Sequence, residues 1–309
     1  MPEEHIRKVL DAIVKGRLVP FLGAGANMCG RPAGVGYQPG QYLPSGRELA
    51  MYLSQNFDFL GVDSEDLSRV AQCIALDPGS GPLYEELRKV FDADYPLTAL
   101  HRFLAKIPHV LRSRGCLKCY QLILTTNYDD LLERAFQDAG EPFDLVTYVA
   151  DGNQRGKFLH RSPEGDVKLI EKPNEYPGFS LESRSVIMKI HGTVDRTNPD
   201  RDSFIITEDH YIDYLTRADV SELVPVTLAA KLKMSHFLFL GYSLMDWNLR
   251  VILHRIWGER RLTFNSWAVQ LNTKDLDRKF WAKRGVEIIN QSLDAYVALL
   301  SEGLAAQSS

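Results

Sequence analysis

Residues 18 to 27 read Leu-Val-Pro-Phe-Leu-Gly-Ala-Gly-Ala-Asn, an apolar run of strand length that passes directly into Gly23, Ala24 and Gly25. Residues with little or no side chain let backbone N–H groups approach a phosphate closely, so this junction indicates a phosphate-binding turn. An ordinary tight turn is the alternative, because Met28 stands where a dinucleotide-binding motif has its third glycine. No Gly-Lys-Ser/Thr follows, which excludes a Walker loop.

Further apolar runs of similar length follow along the chain, and segments with helical periodicity lie between them. Such alternation is typical of a mostly parallel sheet with helices on both faces. The sequence therefore predicts an α/β fold with a doubly wound, Rossmann-like parallel sheet. The predicted strands are Leu18–Leu22, Gln121–Thr125, Val186–Ile190, Phe237–Leu240, Trp267–Leu271 and Val286–Ile289, and the predicted helices include Ile6–Val14, Asp129–Ala139 and Trp247–Trp257.

Two regions interrupt this alternation. Residues 46–106 contain several helical stretches and no convincing strand, which predicts a helical insertion between the first two strands of the sheet. The insertion is a candidate second lobe. Residues 151–183 are polar and rich in Gly and Pro around a short apolar run at Val167–Ile170, which predicts a loop or hairpin.

The composition describes an ordinary globular protein and excludes several classes. The chain has 309 residues, of which 45% are hydrophobic and 25% charged, and a formal net charge of -4. Its four unevenly spaced cysteines do not suit a secreted disulfide framework, and the N-terminus lacks the apolar core of a signal peptide, so we expect a cytoplasmic protein. No apolar run approaches the roughly 20 residues that cross a bilayer. The sequence has no stripe of basic residues, so we expect no direct contact with nucleic acid.

Polar residues and glycines follow the predicted strands where each strand ends. In a parallel sheet those carboxyl ends share one edge, which is where ligands bind in open α/β folds. Individual positions have simpler explanations, because Thr126 or Asn127 can cap a helix, Asp130 suits a first helical turn, and a lone histidine is more often structural than catalytic. The set at this edge comprises Gly23, Asn127, Asp129, His191, Gly241, Ser243 and Asn272.

Together these motifs resemble the sirtuin-like NAD-consuming proteins. The matching pieces, in order, are Gly-Ala-Gly at 23–25, Thr-x-Asn-x-Asp at 125–129, His-Gly at 191–192 and Gly-x-Ser-Leu at 241–244. Each piece is short, but their order and wide spacing agree over most of the chain. The resemblance implies a single NAD-binding catalytic domain over residues 1–309, with residues 46–106 as a helical insertion within it.

The resemblance also implies a role for each matching position. Asn127 would order the nicotinamide ribose or the attacking water, Asp129 would engage the nicotinamide carboxamide, and His191 would act as the general base. The residues implied to contact NAD are Gly23, Ala24, Gly25, Asn27, Thr126, Gly241, Ser243 and Asn272, the first three at the pyrophosphate and the last with Ser243 at phosphate and adenosine ribose.

The chain departs from the sirtuin protein deacylases in several places. Of a four-cysteine zinc module only Cys116-x-x-Cys119 is present, so no zinc is expected, although His101 or His109 would complete a site in principle. The Asp-Phe-Arg segment expected after the glycine turn is absent, and Arg31 has no assigned place. Residues 204–211 stand where deacylases have the Phe-Gly-Glu strand that grips an acyl-lysine peptide.

Residues 204–211, with Tyr128 and the segment Gly-Tyr-Ser-Leu-Met-Asp-Trp-Asn from Gly241, resemble a prokaryotic branch of the family that serves in antiviral defence. That branch hydrolyses NAD. The resemblance therefore implies an NAD+ hydrolase that depletes NAD in antiphage defence. Because uncontrolled hydrolysis would kill the host, we expect a homo-oligomer, joined in this branch by a HerA-type ATPase or an Argonaute-like partner. The alternatives are an NAD-dependent protein deacylase and a catalytically silent NAD or ADP-ribose-binding assembly module.

Overall fold

The computed structural model describes residues 2–59, 63–178, 180–216, 224–242, 253 and 264–306. The strands are β1 (Leu18–Leu22), β2 (Leu122–Thr125), β3 (Phe143–Tyr148), β4 (Phe158–Arg161), β5 (Val167–Ile170), β6 (Ser185–Lys189), β7 (Gly192–Thr193), β8 (Ser203–Phe204), β9 (His236–Leu240), β10 (Ser266–Val269) and β11 (Val286–Ile289). Nine of them form one sheet in the order β11-β10-β9-β1-β2-β6-β3-β4-β5, and β7 pairs with β8. Neighbours from β11 to β3 are parallel, whereas β4 and β5 extend the sheet as an antiparallel hairpin.

Helices connect these strands. The described helices are α1 (Pro2–Val14), α2 (Gly46–Asn56), α3 (Leu67–Ile74), α4 (Ser80–Phe91), α5 (Ala99–Ser113), α6 (Leu131–Asp138), α7 (Glu208–Thr216), α8 (Val226–Lys233), α9 (Asp275–Ala282) and α10 (Leu293–Ala306). A 3₁₀ turn at Ala24–Met28 follows β1 directly. Among the described residues, no helix combines the length and apolar character needed to span a membrane.

The alternating side chains of β1 explain why helices cover both faces of the sheet. Leu18 and Leu22 pack into a core with α1, α5, α6 and α10, whereas Val19 and Phe21 pack into a second core with α7, α8 and α9. A strand buried on both faces has a continuous apolar sequence, which is why β1 is easily recognised in the sequence. The predicted doubly wound, Rossmann-like parallel sheet is confirmed.

The strand order reverses direction beside β1. The chain leaves β1 for β2 and β6 on one side and returns through β9 and β10 on the other. Outside the carboxyl ends of the strands at such a reversal, an open α/β sheet has a crevice. The topology therefore places the turn after β1 at the ligand-binding edge.

Helices α2, α3 and α4 form a lobe with its own core. That core includes Leu53, Val70 and Leu87 and reaches the main body through Tyr128 and Phe204. Helix α5 packs instead on the sheet with α1 and α10. Residues 46–106, the predicted insertion, contain α2, α3, α4 and the first part of α5, which belongs to the sheet layer.

All six strands predicted for the parallel sheet are present, and Val167–Ile170 is the second strand of a hairpin. Several boundaries differ from prediction, and two of these differences lie at the ligand-binding edge. The helix predicted from Asp129 begins at Leu131, because the Asp129 carboxylate accepts a hydrogen bond from the Leu131 N–H at 3.1 Å and stays outside the helix. The strand predicted to reach Leu271 ends at Val269. The predicted helix Trp247–Trp257 lies outside the described residues, apart from residue 253.

Candidate functional site

The turn after β1 is locked onto the end of β9. Gly23 donates its N–H to the Leu240 carbonyl at 3.1 Å, and Gly25 donates to the Gly241 carbonyl at 2.8 Å. A Cβ on Gly25 would lie 2.6 Å from the Gly241 oxygen, so the two chains can approach only without a side chain there. Because both glycine N–H groups are used internally, these residues shape the turn. The Ala24 N–H stands at the start of the 3₁₀ turn, so it has no partner within that turn and is available to a ligand.

Asn127 is tied to this turn from the neighbouring strand. It lies just after β2, is 8% exposed, and donates through Nδ2 to the Gly23 carbonyl at 3.2 Å. Its own N–H donates to Thr125 Oγ1 at 3.0 Å, and Thr126 donates its N–H to the Leu22 carbonyl at 3.1 Å. The amide of Asn127 is therefore held rigidly beside the glycine turn.

Asn27 and Asp129 form a buried pair at the same edge. Asn27 Nδ2 donates to Asp129 Oδ2 at 2.7 Å, while Asp129 Oδ1 accepts from the Leu131 N–H. Among the described residues, Asn27 Oδ1 has no hydrogen-bond partner. A buried amide oxygen without a partner is costly, so a ligand donor would find this acceptor ready.

His191 follows β6 on a tight turn. Gly192 has φ +87°, and a Cβ there would lie 2.0 Å from the Ser203 oxygen, so the position requires glycine. His191 is 3% exposed, and the edges of Tyr211 and Tyr214 contact its ring at centroid distances of 5.6 and 6.0 Å. Burial lowers its pKa to about 3. The imidazole is therefore neutral at physiological pH, and its Nε2 has no partner among the described residues.

These groups share one cavity of about 750 Å³ between the edge of the sheet and the helical lobe. Such a volume is ordinary for a small-molecule site. The predicted site residues that line it are Gly23, Ala24, Gly25, Asn27, Thr126, Asn127, Asp129, His191 and Gly241. The structure thus brings together residues that lie more than 200 positions apart.

Two predicted site residues are not part of this lining. Ser243 lies outside the described residues. Asn272 is exposed, with φ +55°, and donates its N–H to Asn290 Oδ1 at 2.9 Å. Because β10 ends earlier than predicted, Val269 and Gln270 are the residues of this strand end that line the cavity.

The sequence analysis missed the wall that the helical lobe contributes. Ser45 to Arg47 at the start of α2 and Asp66 to Ser68 at the start of α3 line the cavity. Ser45 and Glu48 form a capping box, a Ser-x-x-Glu signal that marks this helix start in the sequence but does not reveal its proximity to the sheet. Arg47 is the single Lys or Arg in the described lining, and it pairs with Glu65 at the mouth.

Arg31 and Cys29 are accounted for by structural contacts. The Arg31 guanidinium forms an ion pair with Glu48, donates to the Val35 carbonyl at 2.6 Å, and so braces the loop before α2. Burial and Asp294, which accepts from the thiol at 3.1 Å, raise the pKa of Cys29 to about 12. A thiol of that pKa is a poor nucleophile at neutral pH.

The Cys116-x-x-Cys119 pair forms a local turn, in which the Cys119 thiol donates to the Cys116 carbonyl at 2.7 Å. Both cysteines are free. Within the part of the chain that the structure describes, no three His, Cys, Asp or Glu side chains are grouped so that they could hold a metal ion.

Comparison with known proteins connects the chain to one family. A family model described as SIR2-like domain matches residues 121–289, more than half of the chain. NAD(+) hydrolase ThsA of Enterococcus faecium is 27% identical over 256 residues, covering 81% of this chain and 42% of that protein. NAD(+) hydrolase ThsA of Acinetobacter baumannii (strain 532279) is 31% identical over 260 residues, covering 82% of this chain and 43% of that protein.

The chain thus spans less than half the length of these curated relatives. Among solved structures, one described as "Structural Basis for the Mechanism and Regulation of Sir2 Enzymes" aligns over 98% of each chain, with 14% identity and a TM-score of 0.42.

Proposed function

The chain belongs to the SIR2-like domain family, and from that premise we propose that it is an NAD+ hydrolase, which cleaves the bond between nicotinamide and ribose to give nicotinamide and ADP-ribose. Two relatives that align over about four fifths of the chain bear the name NAD(+) hydrolase. The matched family domain, residues 121–289, contains the Asn127 loop and the His191 turn.

One observation carries the proposal. Asn127, the neutral His191 and the glycine turn of β1 face one cavity, at the edge of the sheet where open α/β folds bind ligands. His191 is neutral and its Nε2 has no hydrogen-bond partner among the described residues, so it is available as a proton acceptor. The rigid amide of Asn127, in the same cavity, is able to orient a ribose hydroxyl or a water molecule.

The chemistry asks little more of the protein. When the bond from ribose to the pyridinium nitrogen breaks, its electron pair stays with nicotinamide and positive charge develops on the ribose. Water then attacks the ribose carbon and loses a proton to a base, which we assign to His191. Orientation and exclusion of bulk water drive such a reaction, so the burial of Asn127 and His191 suits it.

Phosphate binding by this site would depend mainly on the backbone. Arg47 is the single cationic side chain in the described lining, and Glu65 already neutralises it. The pyrophosphate would therefore meet the Ala24 N–H at the 3₁₀ turn, in a space kept open by glycines. Asp129 and Asn27 would contact the nicotinamide carboxamide, with Asn27 Oδ1, which has no partner among the described residues, as an acceptor.

We extend the proposal to the biological setting implied by the family resemblance. The protein would act in the cytoplasm as an antiphage effector that depletes NAD, held inactive until it assembles. A homo-oligomer, alone or with a HerA-type ATPase or an Argonaute-like partner, would provide that control. A protein that is a monomer by light scattering and nevertheless hydrolyses NAD at the full rate would contradict this part of the proposal.

The direct test is nicotinamide release from NAD by the purified protein, alone and in its assembled form. Asn127→Ala and His191→Ala should each lower the rate by roughly 100-fold or more. Asn174→Ala and His109→Ala, which remove the same side chains from exposed positions, are the matched controls and should leave the rate unchanged.

Two outcomes would overturn the hydrolase assignment. Tight binding of NAD in calorimetry without nicotinamide release would indicate a silent binding module. Nicotinamide release that depends on an acyl-lysine peptide would indicate a deacylase.

A further inference from the structure

A buried lysine lies directly beneath the proposed catalytic loop. Lys189 ends β6, two residues before His191, and its side chain is 0% exposed. Its ammonium donates to the Asp129 carbonyl, to the Tyr128 carbonyl at 3.4 Å and to Glu133 Oε1 at 2.8 Å. An ammonium has three N–H donors, so these acceptors account for all of them.

A contribution to stability alone does not explain a buried lysine at this position. Burying an ammonium and a carboxylate costs several kcal/mol of desolvation each, and an apolar residue of similar volume often serves the fold as well. Glu133 neutralises the charge from α6, and its second oxygen has no partner among the described residues. Two of the three acceptors of Lys189 are instead backbone carbonyls of the loop that carries Asn127 and Asp129.

The segment around Lys189 grips that loop from more than one point. Thr193 Oγ1 donates to the Tyr128 carbonyl at 3.2 Å, and the Val194 N–H donates to the same oxygen at 3.1 Å. One continuous stretch, residues 189–194, therefore presents His191 and also holds the peptide groups of Tyr128 and Asp129. The relative position of the two halves of the site depends on these bonds.

We propose that Lys189 is a positioning residue, which fixes the Asn127–Asp129 loop at its working distance from His191. Its role in turnover rests on the proposed hydrolase function. Its role in holding the loop does not, because the hydrogen bonds exist whatever the reaction.

The experiment compares a single and a double variant. Lys189→Met removes the donors but leaves Glu133 buried without its partner, so it should lower both Tm and kcat. Lys189→Met/Glu133→Gln also removes the unpaired charge. If Lys189 positions the loop, the double variant should recover most of the Tm while kcat stays roughly 10- to 100-fold below wild type. KM for NAD should change by less than about threefold, since the glycine turn is untouched.

A measurement without turnover separates this inference from the hydrolase proposal. Hydrogen exchange of the amides of residues 126–131 should accelerate about tenfold or more in both variants, with β9 unchanged. Lys231→Met, which removes a half-buried lysine on α8, is the matched control and should alter neither exchange in this loop nor kcat. Unchanged exchange at 126–131, or a double variant that recovers kcat together with Tm, would overturn the inference. A wild type without NAD turnover would overturn the hydrolase proposal and leave the exchange result to decide the role of Lys189.

Discussion

Gly241 combines two constraints at one residue. Its φ of +69° favours glycine, and a Cβ would lie 1.9 Å from the Ala26 nitrogen. The close approach to Ala26 is the stronger constraint, because a backbone atom cannot rotate away as a side chain can. The glycine turn of β1 and the end of β9 would have to separate to admit even a methyl group.

We expect Gly241→Ala to weaken ADP-ribose binding by roughly 100-fold, because the turn would shift by an ångström or more. Calorimetric Kd values measure this effect. Gly34→Ala is the matched control, since Gly34 has φ +80° but open space around it, and should cost only about 1 kcal/mol of strain with an unchanged Kd. Equal Kd values for the two variants would show that the close packing of Gly241 is unimportant.

The buried state of His191 leads to a second expectation. With a pKa of about 3, it is neutral and available as a base far below the ordinary histidine value. The proposed hydrolysis should therefore show no loss of kcat/KM near pH 6.5 that is due to His191. Asp130, whose pKa burial raises to about 6, is the nearby group that titrates in this range. Any loss near pH 6 should disappear in Asp130→Asn, and a loss that persists there would contradict a neutral, buried base.

Most of the candidate site could be predicted at the level of single residues. Asn127 and His191 were recognisable because each follows an apolar strand, and strand ends in a parallel sheet meet at one edge. Gln270 and Arg31 were not. Whether Gln270 or Asn272 faces the cavity depends on where β10 ends. The position of the Arg31 side chain depends on its ion pair with Glu48, a partner that the sequence does not identify.

At the level of elements, strand β3 was not predicted from the sequence, because it contains a buried charge. Strand β3 reads Phe-Asp-Leu-Val-Thr-Tyr, and its Asp144 is 0% exposed. His160 from β4 and Arg184 hydrogen-bond its two oxygens, each at 2.8 Å. Those partners come from distant positions, so the acid interrupts the apolar pattern without any local sign of its burial. The helical lobe was predicted because its amphipathic pattern is local.

A buried contact between α3 and α7 lies at the side of the cavity. Gln72 on α3 donates through Nε2 to Asp209 Oδ2 at 2.9 Å and accepts from the Asp209 N–H at 3.0 Å, which ties the lobe to the start of α7. Residues 66–68 and Tyr211, next to this clasp, line the cavity. The buried amide of Gln72 therefore braces the wall between the lobe and α7.

We expect Gln72→Ala to raise the Kd for ADP-ribose about 5- to 30-fold, which corresponds to roughly 1–2 kcal/mol for the lost hydrogen bonds. Hydrogen exchange in α2 and α3 should accelerate at the same time. The neighbouring Arg69–Glu208 pair is exposed, so Arg69→Ala should change the Kd by less than about twofold. A larger effect of Arg69→Ala than of Gln72→Ala would assign the closure to the ion pair.

On the scale of the whole molecule, buried neutral histidines should make stability depend on pH. Burial lowers the pKa of His5 and of His101 to about 4 and that of His191 to about 3, against 6.5 for the ordinary residue. Below pH 6.5 the unfolded chain binds protons that the folded chain does not, so stability is lost as the pH falls from 6.5 towards 4. Each histidine accounts for up to about 2 kcal/mol at about pH 5.

Urea unfolding at about pH 7 and pH 5 measures this loss. Asp130 acts in the opposite direction, because its raised pKa favours the folded state as the pH falls through 6, but it is one group against three. His5→Phe, on α1 away from the cavity, should flatten the dependence. A free energy of unfolding that is equal at the two pH values would contradict the burial of these histidines in neutral form.

The two outer strands of the described sheet bear on how copies of the chain could assemble. Strand β5 carries the exposed Lys168, and β11 carries the exposed Glu287. Charged side chains on outer strands discourage another strand from pairing there. Continuous sheets across neighbouring copies are thus disfavoured at both ends, and any ring or stack of this protein would have to be built through its helices and loops.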